Sequence, residues 1–205
     1  MYIGIGGFKR SGKDTFGRLL KEAAEQRGVD VVMTAFANPV RKAAAAAYGY
    51  GTDTALFTNA ETKDVIVPRW GITPRQMMIN VGEAMREIDP DHWVKLWRAK
   101  YTNPNTLIII TDVRRYNEAK AVCALSEQKQ GYAELVLLQR PGVCWDGTEI
   151  ERLAQTTYCQ LSIKGQQSIF DVLVKNDGDI ASLRRHADRI VRRVLDKATK
   201  KNRSK

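Results

Sequence analysis

Apolar positions along this chain recur first at the spacing of a buried strand and then at the spacing of a helix, and the switch repeats several times. Tyr2-Ile3-Gly4-Ile5-Gly6 is a short apolar run that breaks into Gly7-Phe8-Lys9-Arg10-Ser11-Gly12-Lys13-Asp14-Thr15. Phe16, Leu19, Leu20, Ala23 and Ala24 then recur at helical spacing until Gly28, so the opening reads as strand, glycine loop, helix. Residues 31–36 read as a second strand. Asn38-Pro39 places a capping residue and a first-turn proline ahead of an alanine-rich helix over 40–48, which Gly49 stops. From 50 to 71 the pattern is weak and loop-like. Thr73-Pro74 starts a helix to about 86, and Asp89-Pro90 starts another that carries Trp93, Val94, Leu96 and Trp97.

The segment 106–111 (TLIIIT) is a continuous apolar run rich in β-branched residues, as expected of a strand covered on both faces of a parallel sheet, and Asp112 lies just beyond it. A helix is predicted over 117–130, a strand over 134–139, a last strand over 169–174 and a closing helix from 179 to about 197. The inner face of that helix is Ile180, Leu183, Ala187, Ile190, Val191 and Val194. Strands separated by helices imply right-handed crossovers and an α/β fold, a doubly wound, mostly parallel sheet with ligands at the strand carboxyl ends. The poorly periodic stretches around 50–100 and 141–168 are where substrate-covering elements are expected.

Composition narrows the picture. The 205 residues, 43% of them hydrophobic, suit one α/β domain with small insertions. With 27% charged residues, a mean hydropathy of −0.37 and no apolar run near the roughly 20 residues a membrane helix needs, a membrane-spanning protein is not expected. Lys9 and Arg10 follow the first apolar residues at once, so no secretory leader is expected and a cytoplasmic location is. Cys123, Cys144 and Cys159 form no Cys-x-x-Cys pair and read as thiols, and His92 and His186 lie too far apart in sequence to suggest a metal centre. The formal charge of +10 is concentrated: residues 184–205 carry +8 and the remainder +2. Such a tail can attract a polyanion weakly, although a frayed, solvated terminus at 196–205 is the plainer reading.

The glycine loop is the strongest chemical signal. Gly7 and Gly12 allow turns in which successive amides face a phosphate, the following helix adds the positive end of its dipole, and Lys13 adds a mobile charge. The match to G-x-x-x-x-G-K-[ST] is incomplete, because Asp14 follows the lysine and the hydroxyl comes one residue late, at Thr15. A glycine-rich loop can also be a mere connection. The dinucleotide fingerprint G-x-G-x-x-G fails, because Lys9 stands where its last glycine belongs. Asp112, at the end of a buried strand, is placed to hold magnesium directly or through water, or else to cap the next turn. Arg114 and Arg115 suit phosphate.

Together these blocks resemble the nucleoside monophosphate kinases, and more narrowly the deoxynucleoside monophosphate kinases of bacteriophages. Gly-Lys-Asp-Thr at 12–15 is similar to that group's phosphate-loop ending. Further similar blocks are Phe36-Ala37-Asn38-Pro39-Val40-Arg41-Lys42, Thr73-Pro74-Arg75-Gln76 through Gly82 and Arg86, Thr111-Asp112-Val113-Arg114 with Asn117-Glu118-Ala119, and Val174-Lys175-Asn176-Asp177-Gly178. The resemblance implies transfer of the γ-phosphoryl group of ATP, with Mg2+, to a (deoxy)nucleoside 5′-monophosphate, in one P-loop kinase domain over 1–205. It implies a helical monophosphate-binding insertion over about 37–100 and a lid over about 141–168. Gly7, Arg10, Ser11, Gly12, Lys13, Asp14 and Thr15 would take the nucleotide phosphates, Asp112 the metal with help from Asp14, and Asn176, Asp177 and Gly178 the region of the donor base. Arg41 and Arg75 would clamp the acceptor phosphate beside Phe36, Lys42 and Gln76. Arg114, Arg140 and Arg152 would neutralise charge, with Trp145 as a stacking candidate. Ile79 and Glu83 depart from the family pattern, so acceptor-base contacts are not carried over. Two rival readings remain: a kinase of another small phosphorylated acceptor such as phosphomevalonate, and a nucleotide-regulated nucleic-acid-binding protein working through the basic tail. Homodimerisation through the Trp93 and Trp97 helix is a further possibility.

Overall fold

Ile3, Ile5 and the run Leu107–Ile110 are among the most deeply buried residues of the chain, as continuous apolar strands flanked by helices on both faces must be. The computed structural model describes residues 1–101, 106–128, 132–144, 147 and 169–203. These fall into two units, one of Met1–Ala35 and Thr102–Lys205 and one of Phe36–Tyr101.

The first unit is built on five strands: β1 (Tyr2–Gly6), β2 (Val31–Thr34), β3 (Leu107–Ile110), β4 (Ala133–Gln139) and β5 (Val172–Lys175). They form one sheet in the order β2-β3-β1-β4-β5, and every pair is parallel. Tyr2 lies opposite Ile108 on one side and Ala133 on the other, which sets the register of the central strands. Helices α1 (Lys13–Glu25) and α7 (Ile180–Arg203, closing the chain) cover one face, where Phe16, Leu20, Ala187, Ile190 and Val194 pack on Ile3, Ile5, Ile109 and Val136. Helix α6 (Tyr116–Gln128) covers the other, its Val122 beside Gly4. This is the P-loop NTPase-like, doubly wound α/β fold. Because β1 continues through α1 on one face and β3 through α6 on the other, the chain leaves these neighbouring strands in opposite directions, which opens a crevice at their carboxyl ends.

The second unit is helical: α2 (Ala37–Ala47), α3 (Ala55–Thr58), α4 (Pro74–Ile88) and α5 (His92–Lys100). Thr73 caps α4 as expected, its hydroxyl accepting from the Gln76 amide at 3.1 Å with Pro74 in the first turn. Ala44, Ala45, Phe57 and Met77 form one buried cluster. Phe36 packs on Trp97 with ring centroids 4.8 Å apart, and the Trp93 indole donates to the Gly82 carbonyl at 3.0 Å.

Several expectations are corrected. The second strand ends at Thr34, because Phe36 already has helical backbone angles as the residue before α2. Asn38 is inside that helix, and its side-chain oxygen accepts from Arg41 rather than capping an amide. The 50–71 stretch contains α3 and an antiparallel bridge between Val67 and Ile72. The last strand is displaced to Val172–Lys175, since Asp171 exchanges bonds with the Leu135 backbone through both its amide and its carboxylate. The closing helix runs six residues beyond 197. Trp93 and Trp97 are core residues, 3% and 1% exposed. No helix among the described residues is long and apolar enough to cross a membrane.

Candidate functional site

Between β1 and α1 the backbone takes three conformations that side chains resist. Gly7 has φ 145°, Gly12 has φ 96°, and Arg10 adopts φ 65°, a value seldom seen outside glycine. A Cβ on Gly7 would lie 2.5 Å from the Leu138 carbonyl oxygen and 2.7 Å from Ser11 Oγ. One on Gly12 would lie 2.7 Å from Asn176 Nδ2. Both glycines are therefore required by space as well as by φ.

Inside this loop Lys13 is buried, and its ammonium donates to the Gly7 carbonyl at 2.7 Å and to the Phe8 carbonyl at 2.5 Å. The Ser11 hydroxyl is buried with no hydrogen-bond partner among the described residues. A buried hydroxyl in that condition costs free energy unless a ligand oxygen meets it. The loop thus presents a charged donor, an unsatisfied hydroxyl and the first-turn amides of α1, which have no acceptor within the helix. That set fits the oxygens of a polyphosphate. Asp14 is exposed and Thr15 half-buried, with Arg18 reaching the Thr15 hydroxyl at 3.5 Å.

On the neighbouring strand end, Thr111 donates its amide to Thr34 and Val113 donates its amide to Ile5, carrying the sheet pairing past Asp112. The turn that follows is held by Glu118, whose buried carboxylate accepts from the Arg114 amide at 2.8 Å and the Arg115 amide at 3.0 Å. Glu118 therefore caps this turn. Among the described residues no group of three or more His, Cys, Asp and Glu forms. Magnesium needs no such group when phosphate supplies part of its shell, and the carboxylates of Asp112 and Asp14 and the Thr15 hydroxyl are oxygen donors of the kind that ion takes.

Asn176 stands in the sheet unit at the end of β5. Its amide donates to the Gln139 carbonyl at 2.6 Å and its side-chain nitrogen to the Ser11 carbonyl at 2.9 Å. Asp177 and Gly178 are exposed beside it, and Asp179 caps α7 through the Ser182 amide. Arg140 is exposed at the end of β4.

In the helical unit, Arg75 is held by Asp64 in a forked pair, Nε to Oδ1 at 2.6 Å and Nη2 to Oδ2 at 3.1 Å. Its amide also donates to the Lys63 carbonyl at 3.0 Å. Arg41 donates from Nη1 to Asn38 at 2.6 Å, while its Nε and the Trp97 indole nitrogen are buried without a partner among the described residues. Phe36 is buried, Lys42 and Gln76 are exposed, and Gln76 donates to Asn80. Arg152, Trp145 and Cys159, with nearly all of the 141–168 lid, lie outside the described residues. Among the described residues, Cys123 and Cys144 form no disulfide.

Sequence reasoning did not single out Asp64, Glu118 as a turn clamp, or Asn176 as a contact of the loop. Glu118 had a local signal, an acid four residues after Arg114. Asp64 and Asn176 had none, because their partners lie 11 and 165 residues away.

No family model matches the chain, and no curated protein does. Among solved structures it is similar to Kti12 of Chaetomium thermophilum in complex with ADP-AlF3 (12% identity, TM-score 0.47, 95% of this chain and 99% of that one). It is also similar to dephospho-CoA kinase of Campylobacter jejuni (11% identity, TM-score 0.44, 93% and 95%) and to a gluconokinase of Sinorhizobium meliloti 1021 (14% identity, TM-score 0.43, 96% and 94%). The fold assignment rests on the strand order and the β1–α1 loop, not on these alignments.

Proposed function

We propose that this protein is a phosphotransferase that moves the γ-phosphoryl group of ATP to a (deoxy)nucleoside 5′-monophosphate. The observation that carries the reading is the β1–α1 loop: two glycines that exclude any Cβ, a buried Lys13 and a buried Ser11 hydroxyl without a partner among the described residues, all at the crevice where β1 and β3 part. A connection without a ligand has no need of a buried ammonium or an unsatisfied hydroxyl.

Phosphoryl transfer asks the protein chiefly to position two anions in line and to neutralise charge on the equatorial oxygens. Lys13, Ser11 and the first-turn amides of α1 bind the donor phosphates. Thr15, with Asp112 or Asp14 through water, would hold a magnesium ion, which would supply charge neutralisation to the donor phosphates. Arg114 is fixed at its backbone by Glu118 and brings a planar guanidinium to the same strand edge. Arg41 and Arg75 take the acceptor phosphate. The Arg41 Nε, partnerless among the described residues, and the forked Asp64–Arg75 pair support that assignment, since one leaves a buried donor to satisfy and the other fixes the plane of a guanidinium.

The deciding experiment is a coupled assay of ADP release with ATP and magnesium against each dNMP and NMP, and against phosphomevalonate. Turnover with one or more nucleoside monophosphates is the expected result. Turnover with phosphomevalonate alone would replace the acceptor and keep the reaction, and ATP binding without turnover on any acceptor would favour a nucleotide-regulated binding protein.

A further inference from the structure

The loop that we read as a triphosphate site is held from outside as well as by its own bonds. Its Ser11–Gly12 peptide is tied from outside, across 165 residues of sequence, by the Asn176 side chain, which donates to the Ser11 carbonyl at 2.9 Å. Asn176 is itself anchored: its amide donates to the Gln139 carbonyl at 2.6 Å, extending the pairing of β5 with β4 by one residue. The side chain thus projects from a strand end rather than from a mobile turn.

The consequence follows from peptide geometry. In a planar trans peptide the C=O and the N–H point in opposite directions. A bond that holds the Ser11 carbonyl toward Asn176 therefore holds the Gly12 N–H away from it. Gly12 has a left-handed φ of 96° as the residue before α1, and a Cβ there would strike Asn176 Nδ2. Asn176 thereby sets both the direction of the Gly12 amide and the space that only glycine leaves.

We infer that Asn176 is a positioning residue for the donor polyphosphate, acting through the Ser11–Gly12 peptide and not by contact with the donor base. This rests on the reading of the loop as a triphosphate site and makes a prediction that a base contact does not share. ATP and inorganic tripolyphosphate have the same phosphate tail, and only ATP has a base. A residue that shapes the loop affects both ligands equally, whereas a residue that touches the base affects ATP alone.

The test is isothermal titration of the full chain with magnesium-ATP and with magnesium-tripolyphosphate, for the wild type, Asn176→Asp and Asn176→Ala. Asp is nearly isosteric but replaces the donor by an anionic acceptor facing the Ser11 carbonyl, so affinity for both ligands is expected to fall about ten-fold or more. Ala only removes the donor and should cost both ligands a smaller, equal factor. The ratio of ATP to tripolyphosphate affinity should stay constant across the three proteins, with melting temperatures within a few degrees. If Asn176→Asp does not fold, the same ratio in Asn176→Ala decides. A loss confined to ATP, or no loss for either ligand, overturns the inference while the triphosphate site stands. A wild type that binds neither ligand overturns the site itself.

Discussion

Lys13 donates to two carbonyls of its own loop, so it has a structural task as well as its proposed one. Lys13→Ala is expected to abolish measurable ATP binding by calorimetry and also to lower the melting temperature by about 6 °C or more, since two hydrogen bonds to a charged group are lost, each worth about 1.5–3 kcal/mol net, at about 2–4 °C per kcal/mol. Unchanged ATP affinity with the lower melting temperature would leave Lys13 structural. Arg75 presents the opposite balance. Its pair with Asp64 is partly exposed and such pairs are worth below about 1 kcal/mol, whereas a phosphate-clamping arginine in phosphoryl transfer is worth on the order of 10³ in rate or more. Arg75→Ala should therefore leave the melting curve nearly in place and cost about 10³ in turnover on the acceptor. A comparable loss in both measurements would make it a structural arginine. These two residues were legible from the chain because glycine, lysine and a capped helix are local signals. Their partners, Asp64 above all, were not, because the 50–71 stretch has no period to place it.

The closing helix shows why the end of an element matters. The basic segment 196–205 reads as a solvated tail, yet α7 continues to Arg203, Ala198 is buried, and Lys197 donates to the Tyr132 hydroxyl at 2.8 Å. Charged residues on an outer face conceal an inner face that goes on one turn past Val194 with Ala198. Removal of 201–205 is expected to leave the melting temperature unchanged, whereas removal of 196–205 should lower it by several degrees, as thermal denaturation will show; equal effects would put the packing boundary elsewhere. The β1–α1 connection is as demanding. Gly7→Ala forces a Cβ within 2.5 Å of the Leu138 carbonyl at a φ of 145°, so it should impair both folding and ATP affinity, while Gly28→Ala, with nothing within 4 Å, carries only the backbone cost of about 1 kcal/mol. Similar melting temperatures for the two variants would mean that the loop yields more than its contacts imply.

Across the sheet unit the chemistry is segregated. The β1–α1 loop and Asp112 lie at the carboxyl ends of the strands, while Glu134 lies near the amino end of β4, buried and paired with Arg193. Burial pushes the Glu134 carboxyl above its ordinary value of 4.5, and Arg193 only partly opposes this. A carboxyl with a raised folded pKa binds its proton more tightly in the native state, so its contribution to stability is fully present below 4.5 and is lost as pH rises through the raised value. The stability of the wild type relative to Glu134→Gln, from urea denaturation, should therefore decline between pH 4.5 and neutrality. A difference that grows with pH would show that the Arg193 pairing outweighs burial.

The amino-acid sequence by itself determined the strand–loop–helix opening, the buried run at Leu107–Ile110, the helix start at Thr73-Pro74, and the glycines that the β1–α1 turn requires. Each of these is set by periodicity, by steric limits on φ, or by groups within a few positions of one another. Only the tertiary structure decided the strand order, the register that begins β5 at Val172, the burial of Trp93 and Trp97, and the reach of Asn176 to the Ser11 carbonyl. Those depend on which elements become neighbours when the core closes, and a pairing across 165 residues leaves no mark in the local pattern of either end.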